Sequence, residues 1–294
     1  MLQEKQVKSV LNKHKQRDSW FLDEYSVNPY EGCSCNCLYC YIRGSKYGEN
    51  MEQGLAVKSN ALTILEKQLA SRAKKGQYGI VAVGSATDAY IHHEEKYRLT
   101  RGMLELLLKY RFPVFISTKS LLIERDFDLL KKISDVAILP DDMKGKIPGL
   151  ILSVSISSLN RKVTDMLEPG AAIPKERLSF ITKMQKEGFL AGVNAIPLLP
   201  FISDTEEEME KIIQAVKDAN AAYILTGGLT LFGNGPSDSK TLFYKFLSRY
   251  DPGLMEKYEK LYGNNHYTSF AYQDKLKQRA QMICEKYNIA NSIL

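Results

Sequence analysis

Six short runs rich in Val, Ile and Leu, at 25–28, 79–84, 114–118, 150–156, 189–196 and 223–229, alternate with helical patterns. Apolar runs of this length, bounded by breakers, are the signature of strands in a parallel sheet buried on both faces. Parallel strands need crossover connections, and the intervening segments supply them as helices. Leu62, Leu65 and Leu69 form one stripe that Gly76 stops; Leu99, Met103, Leu106, Leu107 and Tyr110 form another. Pro174 opens a helix that Gly188 closes, and Thr205 with Glu208 gives a capping-box pattern ahead of Met209, Ile212, Ile213 and Val216. Six β/α units are too few for an eightfold barrel. The expected fold class is therefore α/β, a partial (β/α)6 TIM-type barrel over residues 1–235. After the breaker Gly233-Asn234-Gly235-Pro236, Tyr- and Lys-rich helical sequence forms a C-terminal helical extension over 236–294.

The carboxyl ends of these strands carry the chemistry-bearing residues. They run into NPYEGCSCNCLYCY, GSATDAYIHHEE, STKS, SVSISS, NAIPLLP and TGGLTLF. In α/β barrels and open parallel sheets, sites gather at that end, so the six strings are expected to share one mouth.

Four of the five cysteines, Cys33, Cys35, Cys37 and Cys40, fall within eight residues; Cys284 stands alone on a helical pattern as a small buried hydrophobe. Disulfides between thiols so close would close strained rings, and a chain of 294 residues has no need of such staples. A metal is the better reading. The C-x3-C-x2-C spacing of Cys33, Cys37 and Cys40 suits three irons of a [4Fe–4S] cubane, leaving the fourth iron open. Two other readings of the cluster remain open at this point. One is a structural zinc site built from these cysteines or a nearby His, in a non-catalytic metal-stabilised binding protein. The other is an electron-transfer cluster with Cys35 or Cys284 as fourth ligand.

The motif set resembles the radical S-adenosylmethionine superfamily, whose signature is C-x3-C-x2-C after the first strand of a partial barrel. More narrowly, NPYEGCSCNCLYCY, GSATDAYIHHEEKYRLTRGMLELL, STKSLLIERDFDLL, SVSIS and LEPGAAIPKERL, in order over about 25–200, resemble the spore photoproduct lyase-related, DNA repair photolyase-like group. The resemblance implies a lyase-like radical enzyme with two cofactors, a [4Fe–4S] cluster and S-adenosylmethionine, cleaved reductively to a 5′-deoxyadenosyl radical that abstracts hydrogen. It implies Cys33, Cys37 and Cys40 as metal ligands. Tyr39, Thr87, Lys119 and Ser155 would be cofactor-binding residues, with Lys119 a cation for the methionine carboxylate and Tyr39 packing on the adenine. Tyr41, Ser85 and Asp88 would be catalytic positions toward the substrate. It also implies a reductant partner such as flavodoxin or ferredoxin.

The substrate class it suggests is damaged or modified nucleic acid; a peptide or small molecule is the alternative. One position departs from the pattern. The lyase carries a cysteine that returns hydrogen to the substrate radical, and Ser85 stands there, with an O–H bond too strong for that step. Cys35 is the other thiol nearby.

Net charge is +6, mildly basic, which permits an anionic partner without requiring one. The uncharged stretches are broken by Asn, Gly or Pro, so no membrane span is expected, and the charged N-terminus lacks a signal-peptide core. The expected location is cytoplasmic. His92 and His93 read as solvated loop residues, and Asp126 and Asp128 as the polar start of a helix.

Overall fold

The computed structural model describes residues 2–46, 48 and 54–294. In chain order the elements are β1 (Gln3–Lys5), β2 (Asn12–Lys13), β3 (Asp23–Val27), β4 (Tyr30–Glu31), β5 (Ala56–Lys58), α1 (Ala61–Lys74), β6 (Ile80–Val83), α2 (Glu94–Tyr97), α3 (Leu99–Lys109), β7 (Val114–Thr118), α4 (Phe127–Val136), β8 (Leu150–Ser155), α5 (Arg161–Leu167), α6 (Pro174–Lys186), β9 (Leu190–Leu198), α7 (Glu206–Asp218), β10 (Ile224–Gly228), α8 (Ser239–Tyr250), α9 (Leu254–Tyr262) and α10 (Phe270–Lys286).

The main sheet runs β2-β3-β6-β7-β8-β9-β10. All pairings are parallel except that of β2 on β3, where Asn12 faces Ser26 and Lys13 faces Tyr25. All six expected strands are present, in a sheet open between β10 and β2. That is a partial barrel. A small second sheet, β1-β5-β4, and the edge strand β2 lie outside the expectation. Each has only two or three residues, with half or more of them at the surface in β1 and β2, too short for a period to register.

Side-chain alternation explains how the sheet divides its two faces. Val81, Val83, Val114, Ile116, Leu150, Leu152, Val154, Ala191, Val193 and Ala195 point outward into the core beneath the helices. The inward row starts apolar, with Ile80, Ala82, Phe115, Ile151, Tyr223 and Leu225 packed together in the barrel. It ends polar, at Ser117, Ser155 and Asn194. The apolar floor thus seals one end and leaves a polar mouth at the strand carboxyl ends.

The helices obey their signals with two exceptions. Leu65 and Leu69 are buried on α1, but Leu62 is 37% exposed, because it lies over Gly102 of α3 at the rim rather than in the core. Thr205 caps α7 by accepting from Glu208 N–H at 3.3 Å, yet the Glu208 side chain goes to Lys211 rather than back to the cap. The C-terminal helices have a definite seat: α10 packs on β10 and α7, while Phe243, Phe246 and Tyr258 of α8 and α9 share a buried cluster with Cys35, Cys37 and Tyr39.

Inside the barrel the Gly192 Cα presses against the Tyr223 ring, so that a Cβ there would lie 2.5 Å from ring carbons. Tyr223 cannot yield easily, since its hydroxyl is fixed between Ser153 Oγ at 2.6 Å and Leu152 O at 2.9 Å. Gly192→Ala is therefore expected to destabilise the protein by about 1–3 kcal/mol, the usual cost of overpacking, read from urea denaturation.

Candidate active site

The mouth of the barrel opens into a cavity of about 420 Å³, within the ordinary range for small-molecule sites. Cys33, Cys37, Cys40, Tyr39, Tyr41, Ser85, Thr87, Asp88, Lys119 and Ser155 all line it. The fold therefore brings every sequence-derived candidate to one place.

The cysteine loop is held by backbone and by distant side chains. Leu38 N–H donates to Leu167 O at 2.9 Å, Gly170 N–H donates to Cys35 O at 3.1 Å, and Arg43 Nε donates to Cys37 O at 3.1 Å. Gly170 must lack a side chain, because a Cβ would fall 1.9 Å from Ser34 O. Underneath, Glu168 is 3% exposed and Arg177 1% exposed, and they form an ion pair. Glu168 also accepts from the Tyr39 hydroxyl and, at 2.7 Å, from Ser157 Oγ. Arg177 donates on to Ser155 O. A second buried carboxylate, Glu94, accepts from Tyr30 Oη, from Thr100 N–H at 2.9 Å and from Arg125 at 2.7 Å. Asp126 and Asp128 stand at the start of α4 as expected, and Asp126 is in addition fully buried between Arg101 and Arg125, each at 2.7–2.8 Å.

Asp88 and Thr87 line the cavity, but the scaffold takes up their polar atoms. Asp88 accepts from Tyr90 N–H and Lys119 N–H, both at 2.8 Å, from Thr118 Oγ1 at 2.7 Å and from Cys35 Sγ at 3.6 Å. Thr87 donates its hydroxyl to Gly32 O. Both tie the ends of β6 and β7 to the cysteine loop. Tyr41 is 47% exposed and donates to Ser85 O at 2.6 Å, while Ser85 Oγ accepts from Asn28 Nδ2 at 3.1 Å.

Groups with spare hydrogen-bonding capacity face the same space. Lys119 Nζ stands 5.9 Å from the Tyr39 ring centroid. Burial pulls its pKa down, but the nearby Cys37 and Glu168 outweigh that and hold it protonated. Asn194 donates through Nδ2 to Ser117 Oγ at 2.8 Å, and its buried Oδ1 has no partner. Ser117 Oγ and Ser155 Oγ lie 3.2 Å apart. Burial pushes the Cys37 thiol up to about 12 and raises Cys40, whereas a hydrogen bond with Cys35 lowers Cys33. Among the described residues no three His, Cys, Asp or Glu side chains converge as ligands to a single ion do. A cubane asks for thiolates at three separate corners, and the three cysteines stand around one end of the cavity. The orphaned Asn194 oxygen and the Lys119 ammonium fit the hydroxyls and carboxylate of S-adenosylmethionine. Asn194 and Glu168 were missed in the sequence, although both stand in polar strings after apolar runs.

The Radical SAM superfamily model matches residues 27–216, well over half of the chain, and the protein belongs to that superfamily. It is an enzyme of that class, whose members cleave S-adenosylmethionine at an iron–sulfur cluster. Among curated relatives, an uncharacterized protein of Mycobacterium tuberculosis is 29% identical over 275 residues, 90% of this chain and 75% of the relative. One of Acidianus two-tailed virus is 26% identical over 209 residues, 67% and 64%. Among solved structures, a point mutant of spore photoproduct lyase superposes with a TM-score of 0.67 at 13% identity, covering 97% of this chain and 78% of that one. A double mutant of that lyase, with bound AdoMet and dinucleoside spore photoproduct, gives 0.61 at 16% identity, over 92% and 76%. At these identities the likeness carries the fold. No helix among the described residues is long and apolar enough to cross a membrane.

Burial pushes the Glu168 carboxyl up, but Lys119, Arg177 and the Tyr39 and Ser157 hydroxyls outweigh burial and hold it below its ordinary 4.5. A carboxylate depressed in the folded state contributes stability that is complete above the unfolded value and lost as pH falls through the folded one. Glu168→Gln leaves Arg177 buried without its counter-charge and is expected to cost about 3–5 kcal/mol at neutral pH. In denaturation curves measured at a series of pH values, the gap to the wild type should narrow below pH 4.5.

Proposed function

We propose that Cys33, Cys37 and Cys40 hold a [4Fe–4S] cluster, that S-adenosylmethionine lies in the adjoining cavity, and that hydrogen is abstracted from a damaged or modified nucleic acid reaching the same cavity. One observation carries the reading. A protonated lysine, an orphaned buried amide oxygen and three cysteines of the C-x3-C-x2-C loop line a single cavity large enough for the cofactor. When bound, the cofactor and cluster together supply one-electron cleavage of the sulfonium and a carbon radical.

The chain's own residues do the rest. Lys119 pairs with the methionine carboxylate. Asn194 Oδ1 accepts a hydroxyl hydrogen bond, and Ser155 offers a second polar contact. Tyr39, fixed by Glu168, keeps Lys119 over its ring and gives the site a rigid wall. Asp88 and Thr87 hold the cysteine loop in register with β6 and β7. The apolar floor of the barrel and the α8–α9 cluster behind the cysteines exclude water, which a carbon radical requires.

The nucleic-acid substrate is supported by the order of the motifs and by the likeness to a lyase solved with a dinucleoside photoproduct. Ser85 favours a hydrogen return that does not pass through a thiol at that position. A soluble reductant such as a flavodoxin or ferredoxin supplies the electron.

Anaerobic reconstitution should load about four irons per chain and give cofactor-dependent 5′-deoxyadenosine. Cys37→Ala should lose iron and activity together. Lys119→Ala should keep its iron and bind S-adenosylmethionine about 10–100-fold more weakly, the loss of one charge-assisted contact. Zinc in place of iron, or iron without cofactor cleavage, overturns the proposal. Deuterium exchange between 5′-deoxyadenosine and DNA, RNA or peptide pools identifies the substrate.

A further inference from the structure

The cavity has a second end that no motif marked. Residues 14–22 cross the open side of the barrel between β2 and β10: Phe21 stacks on Phe115 inside, with centroids 5.1 Å apart, and Trp20 lies against Gly227. Behind this crossing, His14 Nδ1 lies 3.2 Å from Asp23 Oδ2, and His14 Nε2 lies 3.4 Å from Ser26 Oγ. His14, Asp18, Phe21 and Asp23 all line the same cavity as the cysteines.

Asp23 is 3% exposed, and its burial raises its pKa to about 6, opposed by His14. The His14 side chain is 32% exposed, so the desolvation falls on the Asp23 carboxylate, a cost that an apolar residue would avoid. The ring thus has one nitrogen on a carboxylate and the other in a single long contact, on a side chain that lines the cavity. Asp18 adds a second carboxylate, occupied by the N–H groups of Trp20 and Phe21 at 2.8 and 2.7 Å. This part of the cavity therefore carries two carboxylates and an imidazole beside the Phe21–Phe115 stack, whereas the cation, Lys119, stands over Tyr39 of the cysteine loop.

We propose that this end of the cavity is the substrate subsite, taking a non-anionic hydrogen-bond donor, a hydroxyl or amine on a flat apolar body, with His14 as its positioning residue. The proposal rests on the reading that substrate and S-adenosylmethionine share one cavity. For a nucleic-acid substrate, a base or sugar would enter here and the phosphates would stay outside.

The test uses three probes of one shape, benzylamine, benzyl alcohol and benzoate, added to the full chain labelled with 15N-histidine. The chain has only four histidines, so the ring resonances are separable, with His14→Gln giving the assignment. The expected result is that the amine and the alcohol shift the His14 ring nitrogens, that His92, His93 and His266 stay in place, and that benzoate needs about tenfold more, as like-charge juxtaposition demands. Asp23→Asn should narrow that ratio. Benzoate acting at the same concentration as the alcohol in the wild type, or probes that leave His14 unmoved, overturns the subsite; the wild-type comparison needs no variant to fold. Formation of 5′-deoxyadenosine by wild-type protein without any probe reads the cofactor half alone, so failure there and silence at His14 are distinguishable.

Discussion

Four separate parts of the chain meet on the Glu168 carboxylate. Tyr39 comes from the cysteine loop, Ser157 from the end of β8, Arg177 from α6, and Glu168 itself from the turn after α5. A carboxylate this deeply buried is tolerable only when its lone pairs are filled and its charge is matched. Once that condition holds, moving any one of the four parts breaks a charged hydrogen bond in a low-dielectric interior. The loop that presents the cysteines is thereby locked to the barrel. Glu94 plays the same part on the other flank, joining Tyr30, just before the cysteines, to α3 and Arg125.

These hubs explain why the mouth can be both polar and rigid. Ser117 and Ser155 near the ends of β7 and β8 lie beside Asn194 of β9, their side chains pair largely with one another, and Asp88 gathers the backbone at the end of β7. Among the described residues at the mouth, what they leave over includes one amide oxygen, the Lys119 ammonium group and the thiols. A site preorganised in this way loses little further entropy when a ligand arrives. The helices after β10 contribute by covering the far side of the cysteine loop with Phe243, Phe246 and Tyr258, which keeps that side dry.

Much of this was legible in the sequence, for a physical reason. A strand buried on one face against helices and on the other against the barrel floor must be apolar along most of its length, so Val114–Thr118 and Leu150–Ser155 declare themselves. The site residues were legible because they follow those runs, and a parallel sheet carries all its carboxyl ends to one side. The hubs were not legible. Glu168 and Tyr39 lie 129 residues apart, and nothing local to either announces the other. Asp126 and Asp128 are legible as the start of α4, but the burial of Asp126 depends on Arg101, 25 residues earlier. Asp88 was placed correctly at the mouth, but whether a carboxylate faces a ligand or its own scaffold depends on where Thr118 and Lys119 point, which spacing does not encode.

The open side of the barrel follows from the same argument. A sheet of six parallel strands and one antiparallel edge does not close, and β2 and β10 leave an unpaired gap. Water entering there would reach the cavity wall, and a carbon radical formed near the cysteines would be exposed to it. The crossing at 14–22 meets that requirement with an aromatic stack inside and Trp20 against the glycine backbone of β10. Apolar residues alone would close the gap without the desolvation that the buried Asp23 carries. Asp18 serves the crossing itself, by accepting from the N–H groups of Trp20 and Phe21, which leaves His14 and Asp23 as the polar pair that closure does not require.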